Sequence, residues 1–177
     1  MTQLEKYMET LTGKQLAQNL RQRIDELKKL CEGVDEGTAN RAPAGRWSPK
    51  EILSHLLGPE EGSQLLILQA FLDKDTPRLD MEPANSFLSE DRFRTSFSEL
   101  LSQVEAEYDR MSRFAEGLSE EQLNRKAQVP MLKDTPLTEY PTLATWLAML
   151  GSMDGSHLEF HTNHMREILQ ELGVPGK

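Results

Sequence analysis

Histidine is scarce in this chain, and three of the four, His157, His161 and His164, fall within eight residues. His157 and His161 stand four apart, which on a helix sets both rings on one face, about one turn apart. That spacing lets one helix offer two ligands to one metal ion. An apolar stripe, Leu143, Leu147 and Leu150, continues through Asp154, His157, His161 and His164, then returns at Ile168 and Leu172. A polar band inside a core-facing stripe is costly unless its groups find partners. A bound cation would satisfy several imidazole nitrogens at once. His55 follows Ile52 by three and adjoins Leu56, so it faces inward from a second helix. Three neutral imidazoles from two helices leave a coordination position open, the mark of a catalytic metal site. The competing reading is a buried polar network of Asp154 and the histidines with no metal.

The neighbouring residues take graded roles. His157-Leu158-Glu159-Phe160-His161 lacks a glutamate directly after the first histidine, and Glu159 points away from the ligand face. Asp154, three before His157, is expected to accept a ring N–H and fix the tautomer. His164 serves in the same way, as an alternative ligand, or as a proton shuttle. Trp47 lines a substrate pocket or, alternatively, anchors the preceding loop to the core. Arg41 and Arg46 either contact an anionic substrate or are solvated surface charges. Cys31, the single cysteine, permits no intrachain disulfide and reads as a small apolar residue on a helix face.

These residues need helices to hold them. The first runs from about Lys14 to Val34 on Leu16, Leu20, Ile24, Leu27, Leu30 and Cys31, with Gly33 and Gly37 at its end. The second opens on Ser48-Pro49-Lys50-Glu51, a capping box with proline at the first helical position. Gly58-Pro59 predicts a kink or short break, with helix resuming over Glu61 to Leu72. Asp73 to Asn85 holds two prolines, Pro77 and Pro83, and several charges, and reads as a loop. A third helix is predicted from near Ser89 to Gly117, a helical turn at the capping pattern Ser119 to Gln122, and irregular chain from Asn124 to Tyr140. The fourth helix is predicted from Pro141 to Gly173. No strand pattern or repeat is present, so the fold class is all-α, and the long second-to-third connection suits a four-helix bundle. Residues 1–177 are taken as one domain, with roughly the first 13 residues peripheral to it.

Bulk composition narrows the partners. Apolar residues make up 37% of the chain and the formal net charge is −9. An acidic chain repels phosphate backbones and anionic lipid, so neither nucleic acid nor membrane is expected as a partner. No run approaches the roughly 20 apolar residues of a membrane span, and the first residues lack a signal-peptide pattern. A soluble, cytoplasmic protein is expected.

Trp47-Ser48-Pro49-Lys50-Glu51-Ile52-Leu53-Ser54-His55-Leu56 resembles the tryptophan-serine-x-x-glutamate…histidine-leucine segment of the DinB/YfiT-like superfamily. His157-x-x-x-His161, followed by His164-Met165-Arg166-Glu167-Ile168, resembles that family's C-terminal metal-binding helix. The resemblance covers roughly residues 14 to 173. It implies an up-down-down-up bundle, often dimeric, with zinc or nickel on His55, His157 and His161. It also implies a metal-dependent transferase or hydrolase acting on a small molecule, with a low-molecular-weight thiol as a possible cosubstrate. Against this stands a metal-binding or interaction protein without turnover, a homodimer whose helix-to-helix face would include Leu65, Ile67 and Leu68.

Overall fold

The computed structural model describes residues 8, 10–60, 63–135 and 137–174. Among them the regular elements are all helical, and extended pairing is confined to two isolated bridges.

Helix α1 (Gly13–Cys31) starts at a capping box in which Thr12 and Gln15 satisfy each other's backbone amides. Lys28 and Lys29 fill its last turn, where the helix dipole favours cations. Leu16, Leu20, Ile24, Leu27 and Cys31 are buried as expected, Leu30 is half-buried, and the helix stops at Cys31, short of the predicted Val34. A short α2 (Glu36–Ala39) leads to α3 (Pro49–Leu57), which opens on the predicted Ser48/Glu51 capping box with Pro49 in the first turn. Such a cap contributes about 1 kcal/mol. Gly58, at φ 78°, ends α3 in a conformation that side-chain-bearing residues avoid, and Ser63 caps a fresh helix, α4 (Gln64–Asp73).

Two predicted helices are each divided. The third breaks at Thr95-Ser96 into α5 (Glu90–Arg94) and α6 (Phe97–Glu116), because the Ser96 side chain accepts from the Glu99 amide and restarts the helix. The predicted turn at Ser119 forms as α7 (Glu120–Leu123). The fourth divides into α8 (Leu143–Gly151) and α9 (His157–Glu171). Residues 152–156 between them include Gly155 at φ 71°.

Ion pairs fix the direction of each stretch. Arg21 pairs with Glu116 and Lys28 with Glu105, so α1 and α6 run antiparallel. Gly151 lies against Leu20 and Glu159 pairs with Arg23, so α8–α9 runs parallel to α1. Arg46, just ahead of α3, pairs with Glu167 and Glu171 near the end of α9, so α3–α4 runs against the fourth stretch. The order is up-down-down-up. The α1 stretch packs on the third and fourth, and α3–α4 packs on the same two.

This topology has a consequence for the site. With α3–α4 and α6 parallel, the 74–89 connection must travel back along the bundle toward the start of α3. It is tied on its way to the segment before α8, through Leu79 N to Gln128 O and Gln128 N to Pro77 O, both 2.8 Å.

One apolar cluster spans all four stretches and takes in Met8, fully buried, and Leu11. The chain just before α1 therefore packs into the core where a peripheral segment was expected; the earlier residues lie outside those described. Leu68 is also fully buried, and Leu65 and Ile67 are half-buried against the core, so these three do not form the free helix face anticipated for a dimer. No helix among the described residues is long and apolar enough to cross a membrane.

Candidate metal centre

Helix α3 buries Ile52, Leu53 and Leu56, and the same face carries His55 inward, where it is 5% exposed. Helix α9 begins at His157, and its next turn brings in His161, also 5% exposed. The first turn of α9 is held by Glu159, which accepts from the Gly155 amide at 2.8 Å and pairs with Arg23 at 3.4 Å. Glu159 thus works on the backbone, away from the ligand face, as its position predicted.

The three rings converge. Their centroids lie 5.1 Å (His55–His157), 4.5 Å (His55–His161) and 4.7 Å (His157–His161) apart. One nitrogen from each falls within 4.8 Å of the others. His55 and His157 bring their Nε2 atoms to 2.9 Å. Tetrahedral zinc on imidazole has metal–nitrogen bonds of roughly 2.0–2.1 Å, so its ligand nitrogens stand roughly 3.4 Å apart, within reach of this cluster by small side-chain adjustments.

The Nδ1–H of His55 donates to the carbonyl oxygen of Asn85 at 2.8 Å. That fixes the tautomer and leaves the Nε2 lone pair facing the other rings. Asn85 is itself held: its Oδ1 accepts from the Phe87 amide at 2.8 Å and its Nδ2 donates to Glu82 at 2.8 Å. Phe87 takes a positive φ of 53° and lays its ring on His55 at 13° and 6.3 Å. Arg92 closes the loop, donating to the carbonyls of Phe87 (3.3 Å), Ser54 (3.1 Å) and Gly58 (2.6 Å).

Burial keeps the rings neutral. It is the main cause that lowers His157 to about 4 and His161 to about 2, with the neighbouring histidines adding to it. His55 is lowered by burial as well, opposed by its bond to Asn85. Neutral imidazole is the form that binds a metal. The protein alone satisfies these rings poorly: Nδ1 of His157 and Nδ1 of His161 are buried without a hydrogen-bond partner. The donor set and its convergence fit a divalent cation.

The other candidates fall outside the trio. Asp154 is exposed in the break between α8 and α9, and the partnerless Nδ1 of His157 shows that it does not accept from that ring. The break itself removes Asp154 from the helical stripe that suggested its role. His164 is half-buried, 6.1 Å from His161 by ring centroids, and is not among the converging nitrogens. Trp47 stacks on His161 at 6.0 Å and 3° and sits 5.1 Å from His55, so it covers the trio. It does not line the adjoining cavity, contrary to its reading as a pocket residue. Arg46 is bound to Glu167 and Glu171, and Arg41 donates to the Leu172 carbonyl at 2.9 Å; both tie the loop before α3 to α9.

A cavity of about 610 Å³ opens beside the rings, and His55, His157 and His161 form part of its wall. The rest comes from Pro59 and Ser63 ahead of α4, from α4 itself, the returning 74–89 connection, Met131, α8 and α9. Sequence reasoning missed Asn85 and Phe87, since a backbone carbonyl acting as acceptor leaves no residue-type signal.

Residues 19–161 match the family model of the DinB superfamily. The fold is similar to that of YfiT from Bacillus subtilis, with a TM-score of 0.72 and 18% identity over 92% of this chain and 89% of that one. YfiT is described as a probable metal-dependent hydrolase with an unusual four-helix bundle topology. No curated protein sequence matches the chain.

Proposed function

Since this chain belongs to the DinB superfamily, we propose that it is a metal-dependent enzyme acting on a small molecule, a hydrolase or a transferase. The observation that carries this reading is the meeting of three neutral imidazoles from α3 and α9 on the wall of a large cavity. His55, His157 and His161 would hold the ion, zinc or nickel, since imidazole suits both. Bound there, such an ion lowers the pKa of a water or a thiol enough to supply a nucleophile near neutral pH.

The protein's own residues do the rest. Asn85 holds the His55 ring in one tautomer and orientation. Trp47 shields the trio on one side and so lowers the local dielectric, which strengthens electrostatic effects at the site. The cavity receives the substrate beside the rings. The likeness to YfiT favours water as the nucleophile; a low-molecular-weight thiol is the transferase variant of the same chemistry.

Elemental analysis of untagged protein tests the first half of the proposal, with about one equivalent of zinc or nickel expected. Turnover of ester and amide substrates, with and without bacillithiol, mycothiol or glutathione, tests the second. Protein that takes up no divalent ion under any loading condition would refute it.

A further inference from the structure

Apart from the histidines, the cavity wall is predominantly apolar, with Ile67, Met81, Phe87, Trp146 and Met149 contributed by three different segments. Five large apolar side chains are exposed among the described residues, and three of them, Leu66 (53%), Met131 (42%) and Phe160 (60%), stand on this same wall. Exposed apolar groups gathered at one opening mark a binding site more often than chance surface. The volume of about 610 Å³ sits within the range of roughly 300–1,000 Å³ that holds small-molecule ligands.

The charges on the wall point the same way. Arg78 is its only lysine or arginine, and the Arg78 guanidinium is engaged twice by Asp80, at 2.9 and 3.1 Å. Asp80 and Glu82 are also on the wall, so its fixed carboxylates outnumber its fixed cations. With Arg78 and Asp80 neutralising each other, an anionic group on the ligand body would meet no free positive charge there and one carboxylate, Glu82, that no cation on the wall pairs. The trio is the one place on the wall where a polar head finds a concentration of ligating nitrogens.

We propose that the cavity takes a substrate with a largely apolar body, an alkyl or aryl chain, and a single polar head directed at His55, His157 and His161. The placement of the head rests on the metal-centre reading above; the binding of the body does not. A cosubstrate with several charges, such as a peptide-like thiol, would keep those charges outside the apolar chamber.

Calorimetric titration of the full chain with two homologous series, n-alkyl hydroxamates and n-alkanols from butyl to decyl, separates the two parts. The titrations are run with metal-loaded and with chelator-treated protein. In both series, and in both forms, each added methylene is expected to tighten binding about fourfold until the chamber is full, the effect of burying one CH₂ group. Hydroxamates should outbind alkanols only when the ion is present. Ile67→Trp, which fills the chamber, and Met131→Glu, which charges its exposed rim, should each weaken the longer members at least tenfold. Circular dichroism would confirm that each variant folds, and Met131→Glu changes a side chain already in contact with water. Affinity independent of chain length, or long-chain binding unchanged in both variants, overturns the proposal. Equal binding of the two head groups to metal-treated protein, with the chain-length slope intact, would remove the metal centre and leave the apolar chamber standing.

Discussion

The carbonyl oxygen of Asn85 receives the Nδ1–H of His55 at 2.8 Å, across thirty residues of sequence. The contact joins a ring on a rigid helix to a connection that also walls the cavity, so one loop both orients a ligand and faces the substrate. Groups that orient a metal-binding histidine typically change affinity by 10- to 100-fold when lost.

Asn85→Ala keeps that carbonyl but removes the Oδ1 that holds the Phe87 amide and the Nδ2 that reaches Glu82. The turn loosens, and metal affinity is expected to fall by roughly 10-fold, at the low end for lost orienting groups. Competition with a chromogenic chelator measures it, with helical circular dichroism as the control. Unchanged affinity would mean that the turn holds its shape without the side chain.

His157 and His164 sit seven apart on α9 yet stand differently to the site. His157→Ala removes one of the three converging nitrogens and is expected to lose most of the bound metal while keeping its helical signal. His164→Ala takes away a ring that lies outside the cluster and is expected to retain full stoichiometry. Elemental analysis of both variants checks this; equal loss in the two would place His164 among the ligands.

Much of this was written in local sequence, and what was not has identifiable causes. The Ser48/Glu51 capping box and the Gly58-Pro59 stop fix α3, hence the inward turn of His55, and both depend only on near neighbours. The i,i+4 pair on α9 is equally local. Helix breaks at Thr95-Ser96 and over 152–156 went unseen because apolar periodicity continues across them: Phe93 and Phe97, and Leu150 and His157, keep step on either side. Asp154 was misjudged for that reason. The cavity wall is assembled by the return path of the 74–89 connection, a tertiary fact with no counterpart in residue spacing.

Buried neutral histidines also shape stability in acid. An unfolded histidine takes up its proton near pH 6.5, whereas folded His157 resists down to about 4 and His161 to about 2. Between those limits the unfolded chain binds more protons than the folded one, so stability falls as pH falls. Metal-free protein is therefore expected to show a flat urea midpoint from pH 8 to about 7 and a decline from about 6.5 toward 4. Equilibrium unfolding in the presence of chelator reads this out. His161→Phe, which removes the most strongly lowered of these groups, should flatten part of the decline. A midpoint constant down to pH 5 in the unaltered protein would show that the rings are not held neutral.

The antiparallel contact of α1 with α6 depends on a glycine. A Cβ on Gly13 would stand 2.1 Å from the backbone carbonyl oxygen of Ala115 and 3.2 Å from its carbon, and main chain cannot swing aside as a side-chain tip can. Gly13→Ala must either separate the two helix ends or unwind the first turn capped by Thr12. Overpacking of this kind costs about 1–3 kcal/mol, and a backbone clash belongs at the upper end. Gly117 is the matched control on the same end of the bundle: its φ is −87°, and an added Cβ would meet nothing closer than 3.7 Å. Gly117→Ala is expected to be within about 0.5 kcal/mol of the parent, as for surface changes without a specific mechanism. Urea unfolding of the pair at pH 7.5 decides it, and equal stability of the two variants would show that α1 approaches α6 less closely than the carbonyl contact requires.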